Sequence, residues 1–149
     1  GDRGKVIAEY KPVVVKGGDA EAGKKVFETN CMVCHRKDGK GVNVGPDITD
    51  VRIKPVEALL SDILDPNRMV EERWAAYTVQ TKDGRTLMGL VSDESSETVT
   101  LRMLGGVVET VPRSEITKME TVGLSLMPVG LEGAISKEQM ADLIQYLKK

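Results

Sequence analysis

Cys31, Cys34 and His35 carry the most legible chemistry of this 149-residue sequence, and they are its only two cysteines and its only histidine. A disulfide between residues three apart would close almost no loop and add little stability. A closed structural zinc site takes four ligands, and no second Cys pair or further His completes one. A thioredoxin-like redox pair would sit in a βαβ context, which the surrounding pattern lacks. What remains is Cys-x-x-Cys-His, the attachment sequence of c-type haem. Each sulfur then adds to a haem vinyl group, and the adjacent His35 is delivered to one axial face of the iron. One haem c, covalently attached through Cys31 and Cys34, is the expected cofactor.

A single histidine excludes bis-histidine ligation within one chain. The second axial ligand is then Met, water, an exogenous ligand or a less usual side chain such as Lys. Seven methionines compete. Met32 is trapped inside the attachment loop, Met88 and Met103 fall in expected strands, and Met119 falls at a strand end. Met140 belongs to the apolar stripe of the last helix, where packing is its natural role. Met69 follows the Asp65-Pro66-Asn67 break and is a weaker candidate. Met127 differs, because it lies in the loop Gly123-Leu124-Ser125-Leu126-Met127-Pro128. Proline stiffens that loop and helps hold a thioether toward iron. The competing reading is a loop methionine packed for its own sake.

Trp74 and Tyr77 are candidates to donate hydrogen bonds to haem propionates, with Arg52, Arg68 or Arg73 as cationic partners. The plainer alternative has Trp74 begin a strand and cap the core while the arginines sit in solvent. Lys24, Lys25, Arg36, Lys37 and Lys40 form either a ring around the haem edge that meets acidic partners or an ordinary solvated surface.

The elements that must position these residues follow from periodicity. Asp19 is a plausible N-cap, and Ala22, Val26 and Phe27 mark one helical face through about Thr29. The haem loop runs from Asn30 to about Asp50. Pro55 suits the first turn of a second helix, in which Val56, Leu59, Leu60, Ile63 and Leu64 repeat at helical spacing until Pro66. After Trp74 the period becomes two. Tyr77, Val79 and Thr81 lead to Asp83-Gly84, a two-residue hairpin signal. Strands through Leu87 to Val91, Val99 to Met103 and Val107 to Val111 complete an antiparallel meander over residues 74–118. Ser136 and Gln139 have capping-box spacing, and Met140, Leu143, Ile144 and Leu147 form the stripe of the final helix.

Lys+Arg is 21 and Asp+Glu is 23, a balance that argues against a nucleic-acid binder or a polybasic membrane-surface protein. Rings are scarce, at one Trp, three Tyr and one Phe, so a core of this size needs another bulky occupant. A haem supplies it. No hydrophobic run approaches the length of a transmembrane helix, and no secretory signal opens the sequence. Covalent haem attachment normally follows export, so the expectation is a periplasmic or otherwise exported mature form or excised domain, with Gly1 a scar residue.

The order of helix, Cys31-Met32-Val33-Cys34-His35, Gly45-Pro46-Asp47-Ile48, loop methionine and terminal helix resembles a class I cytochrome c over roughly residues 19–50 and 120–149. The resemblance implies that the Pro46 carbonyl accepts a hydrogen bond from His35 Nδ1, fixing the ring. It also implies crosswise packing of the first and last helices, with Gly23 and Phe27 against Tyr146. The middle is longer than small bacterial members require. Its stretches Leu60-Ser61-Asp62-Ile63-Leu64-Asp65-Pro66-Asn67, Lys82-Asp83-Gly84-Arg85 with Gly89, and Ser125-Leu126-Met127-Pro128 are similar to a narrower group. These are haem-binding domains of planctomycete and verrucomicrobial proteins, often at the C-terminus of large predicted dehydrogenases. That similarity implies a built-in electron acceptor for a neighbouring enzyme domain.

The expected fold is therefore mainly α, a class I cytochrome c with a small antiparallel sheet inserted at about 74–118 between the haem loop and the axial Met loop. Residues 1–18 form an N-terminal extension, either an extended arm or a linker, and residues 19–149 form the monohaem domain. The expected function is single-electron transfer by a soluble carrier or an electron-accepting domain, with no catalysis by the chain's own side chains. Its partners would be redox proteins: a dehydrogenase as donor, an oxidase or another cytochrome as acceptor, and no nucleic acid. One rival is a haem sensor or peroxidase-like enzyme with an open sixth position, although no second His is available as a distal base. Another is an interaction module whose meander docks a partner while haem merely stabilises the fold.

Overall fold

The structure is a computed structural model and describes residues 3–149, except the side chain of Glu72. Gly1 lies outside the described residues. Four helices form one body: α1 (Arg3–Lys16), α2 (Ala20–Asn30), α3 (Val56–Leu64) and α4 (Lys137–Leu147). A small hairpin, β1 (Arg36–Lys37) with β2 (Lys40–Gly41), lies in the loop after α2. Five further strands fill the stretch between α3 and α4: β3 (Ala75–Thr81), β4 (Thr86–Glu94), β5 (Thr98–Arg102), β6 (Val108–Pro112) and β7 (Ile116–Ser125). Their order is β6-β5-β4-β3-β7, antiparallel at every pairing. A sheet of this extent makes the fold a mixed α and β one rather than mainly α.

Helices α2, α3 and α4 start where local chemistry says they should. The Asp19 side chain accepts from Glu21 N–H and caps α2, while Ser136 and Gln139 form a full capping box on α4. Pro55 sits just ahead of α3, with φ already in the helical range, and the helix runs from Val56. The helical core then gathers Phe27, Leu60, Leu64, Ile135, Met140, Leu143 and Ile144, all essentially inaccessible to solvent. Helices α2 and α4 cross at Gly23, where an added Cβ would collide with the Asp142 carbonyl. Phe27 and Tyr146 meet at a tilt of 47° beside that crossing, ring centres 5.6 Å apart.

The segment expected to be an extended arm or linker is instead helix α1. Pro12 and the run Val13-Val14-Val15 are poor helix formers, so local propensity points elsewhere, and packing overrides it. Tyr10 and Val14 are buried against the helical core, and the Tyr10 hydroxyl donates to the Ile135 carbonyl at 2.7 Å. Arg3 grips both carboxylate oxygens of Glu132, at 2.7 and 2.8 Å, and its Nε donates to the Leu64 carbonyl. That guanidinium holds the Glu132 carboxyl below its ordinary pKa.

The sheet extends past its expected end at residue 118, and it is not a simple meander. Strand β7 returns to pair with β3, opposing Tyr77 to Thr121 and Ala75 to Ser125. Met119 therefore lies inside a strand rather than at its end. The turn at Asp83-Gly84 also has one residue more than expected. Thr81 N–H donates to the Arg85 carbonyl across a three-residue loop whose last member, Gly84, has φ +88°. This is the usual three-residue hairpin solution. The sheet has a small core of its own in Val79, Val99 and Leu101, separate from the helical one.

Replacing Gly23 with alanine forces α2 and α4 apart. Overpacking of this kind should cost about 3 kcal/mol, read as a drop of roughly 9 °C in the Tm of the haem-loaded protein. An unchanged Tm would mean that the crossing tolerates a methyl group.

Candidate haem site

The attachment loop is built by backbone hydrogen bonds that stack its three reactive side chains on one turn. Cys31 N–H still donates to Phe27, as the last turn of α2. Cys34 and His35 N–H both donate to the Cys31 carbonyl, at 3.1 and 2.9 Å. The chain reverses through the β1–β2 hairpin, and Gly45 N–H returns to the Cys34 carbonyl at 2.7 Å. This return puts the Pro46 carbonyl 2.8 Å from His35 Nδ1. A carbonyl only accepts, so Nδ1 carries the proton and Nε2 keeps its lone pair. Burial lowers the pKa of this imidazole, and the Pro46 bond acts against that shift. Gly45 is needed here because a Cβ would lie 2.9 Å from His35 Cε1.

Cys31, His35, Pro46, Trp74, Ser125 and Met127 line both lobes of a cleft between the helical body and the sheet, with volumes of about 300 and 530 Å³. Cys34 faces the first lobe with Val44, Leu90 and Leu104, and Leu59, Ile63, Leu143 and Leu147 wall the second. Polar groups collect at the second lobe, where Asp62 pairs with Lys54 at 2.9 Å and with Arg68 at 3.4 Å. A large apolar group with an acidic periphery suits these walls. Two neutral thiols and an imidazole nitrogen with a free lone pair suit haem in particular. Desolvation pushes the Cys31 thiol up to about 12, with the neighbouring Cys34 adding to the shift, and it raises Cys34 too.

Met127 is tied into this wall by residues remote in sequence. Its N–H donates to Ser125 Oγ at 3.0 Å, and Ser125 N–H donates to Asn67 Oδ1 at 2.8 Å. Asn67 belongs to the turn leaving α3, and Ser125 is the last residue of β7. Two elements thus converge on the methionine loop. In the sequence, Asn67 is visible as part of a helix break and as the end of a stretch similar to the narrower group, with nothing local linking it to Ser125. Leu90 and Leu104 are likewise unmarked in the sequence as cavity residues.

Among the other methionines, Met69 is exposed but borders the second lobe, whereas Met140 is fully buried in α4. Trp74 lines the cleft. Tyr77 does not line it, and stands on β3 between Gly89 and Thr121. Of the three arginines considered for propionates, only Arg68 reaches the cleft. Arg52 turns to Asp38 and Asp50, and Arg73 to Glu71 and the outer face of Trp74. Lys37 is removed from any exposed ring of cations. It is 2% exposed, with Nζ 4.7 Å from the centre of the Tyr146 ring and 2.8 Å from Asp38. Among the described residues no helix is long and apolar enough to cross a membrane.

A family model described as Cytochrome c matches residues 20–100, more than half of the chain. The chain is also similar to two curated proteins. One is the cbb3-type cytochrome c oxidase subunit FixP of Rhizobium etli, 41% identical over 64 residues, or 40% of this chain and 22% of that protein. The other is the cbb3-type cytochrome c oxidase subunit FixPc of Rhizobium leguminosarum bv. viciae, 38% identical over 63 residues, or 39% of this chain and 22% of that protein. The chain spans about a fifth of the length of these relatives. With the family match, the Cys31–Cys34 pair is the point where haem c is covalently attached.

The raised thiol pKa makes a pH dependence peculiar to the haem-free protein. The folded state holds the Cys31 proton more tightly than the unfolded chain does. That stability is complete below the ordinary thiol value of 9.0 and is lost as pH climbs toward about 12. Urea midpoints of the haem-free protein should therefore fall between pH 8 and 11, and a Cys31→Ala variant should fall less. Thioether sulfurs carry no proton, so the haem-loaded protein should lack this component.

Proposed function

This chain belongs to the cytochrome c family, and on that premise we propose that it transfers single electrons with His35 and Met127 as the two axial ligands of its haem. The observation that carries the proposal is the apolar cleft that Cys31, Cys34, His35 and Met127 share. The haem supplies the one-electron Fe(III)/Fe(II) couple. The residues around it orient, insulate and tune. Pro46 fixes the His35 ring and makes Nε2 its basic nitrogen. Ser125 and Asn67 restrain the Met127 loop so that little rearrangement accompanies a change of charge. Methionine opposite histidine, in a cavity lined by aliphatic side chains, favours a raised reduction potential. Lys54 and Arg68 are the cations best placed to offset haem propionates.

In this reading the β3–β7 sheet is an insertion between the haem loop and the Met loop, and the chain works as an electron-accepting domain or a carrier outside the cytoplasm. Two likenesses support a modular role. The similar curated proteins are oxidase subunits that extend far beyond the matched stretch. The planctomycete and verrucomicrobial resemblance points instead to a dehydrogenase neighbour. The expected partners are accordingly a dehydrogenase as donor and an oxidase or another cytochrome as acceptor.

Carbon monoxide decides the sixth position. The dithionite-reduced protein should keep its Soret band unchanged when CO is added, and Met127→Ala should become promptly CO-reactive. A prompt shift in the unaltered protein would move the function toward ligand sensing or catalysis. Asn67→Ala should give an intermediate result, binding CO but at least tenfold more slowly than Met127→Ala. A Soret band in Asn67→Ala that stays unchanged, as in the unaltered protein, would show that the Asn67–Ser125 bond does not restrain the loop.

A further inference from the structure

Trp74 also borders a cavity on the far side of the cleft wall. This outer cavity, of about 260 Å³, is lined by Asn43, Val44, Arg73, Trp74, Leu90, Val91, Ser92 and Arg102. Val44, Trp74 and Leu90 line the haem cleft as well, so one layer of side chains separates the two spaces. Its charged groups are both cationic. Arg73 is 72% exposed, and its guanidinium carbon lies 5.3 Å from the centre of the Trp74 ring. Arg102 donates to the Asn43 carbonyl at 3.0 Å and forms no ion pair among the described residues. Glu71, also exposed, pairs with Arg73 at 3.0 Å and offsets one of the two charges. The chain as a whole is slightly acidic, whereas this spot keeps one net positive charge next to the haem wall.

We propose that the outer cavity binds a carboxylate on the surface of a one-electron redox partner, placing that partner against Trp74 for electron exchange with the haem. The inference rests on the electron-transfer reading. Arg102, which no carboxylate pairs with among the described residues, and the N–H groups of Arg73 that Glu71 does not occupy match a carboxylate in charge and in hydrogen-bond donors. Val44 and Leu90 keep the base of the cavity apolar. In the exchange one electron leaves the docked donor and one ferric haem becomes ferrous, with no proton or atom transferred. Binding at this face, rather than at the Cys31–Cys34 edge, makes the sheet part of the contact surface, since it contributes Leu90, Val91, Ser92 and Arg102.

The single tryptophan gives an unambiguous reporter. Hexacyanocobaltate(III), an anion that does not exchange electrons under these conditions, is titrated into the ferrous haem-loaded protein while the Trp74 indole N–H resonance is followed. The resonance should move saturably, and the movement should vanish in Arg73→Gln/Arg102→Gln. Arg73→Gln alone, which leaves the Asn43 contact intact, should weaken it. Arg85→Gln removes one charge outside the cavity lining, where Arg85 pairs with Asp83 and Glu109, and should leave it intact. In a kinetic arm, reduction by hexacyanoferrate(II) should slow about tenfold in the double variant at low salt. Reduction by hexaammineruthenium(II) should not slow. A resonance that stays still, or moves equally in the double variant, overturns the proposal. So does an equal effect of Arg85→Gln. Failure of the ferric protein to accept electrons from either reagent would instead overturn the electron-transfer reading.

Discussion

The Pro46 carbonyl opposite His35 Nδ1 is the contact on which the rest of the site depends. It fixes the imidazole tautomer by elimination, because a carbonyl has no proton to give. Holding it in place requires the β1–β2 hairpin and the Gly45 backbone pressed against the ring. With the ring fixed, Cys31 and Cys34 face the same apolar cleft as the lone-pair nitrogen. Helices α2 and α4 then anchor the loop from behind, locked together through Gly23, Phe27 and Tyr146, with the Lys37 cation against the Tyr146 ring.

The cleft explains the scarcity of aromatic residues more directly than either hydrophobic core does. The helical core and the sheet core are separate clusters. The cleft lies beside the helical core, which walls it with Leu59, Ile63, Leu143 and Leu147, while the sheet side contributes Leu90 and Leu104 from outside its own small core. A bulky apolar group there buries surface on each side at once, so the cofactor doubles as the interior of the molecule. Few rings are needed when the largest one is bound covalently.

How much of this was legible in the sequence depends on how local the responsible interaction is. The Cys31-x-x-Cys34-His35 element, the Asp19 cap and the Ser136–Gln139 capping box each lie within a few residues, and each was readable. Helix α1 was not, because Pro12 and three consecutive valines argue against a helix, and only distant Glu132, Leu64 and Ile135 reward one. Strand β7 was missed for the opposite reason. It is largely exposed, with only Ile116, Met119 and Ser125 half-buried, so no alternation marks it. Trp74 was singled out for its chemistry, but Tyr77 was not distinguishable from it without the fold. The Asn67–Ser125–Met127 chain spans 58 positions between its first two members, and no spacing rule encodes such a link.

The pairing of β7 with β3 also sets an order of assembly. The turn carrying Cys31, Cys34 and His35 closes through contacts a few residues long, and the β3–β4, β4–β5 and β5–β6 hairpins are similarly local. Strand β7 must instead span the three strands between to reach β3. Chain entropy makes such long closures slow. Because Ser125 ends that strand, the methionine loop is seated only when the sheet is complete. Attachment of haem to the two cysteines therefore meets a chain whose anchoring turn closes early and whose opposite wall closes last. The late wall leaves the cleft open for the incoming group.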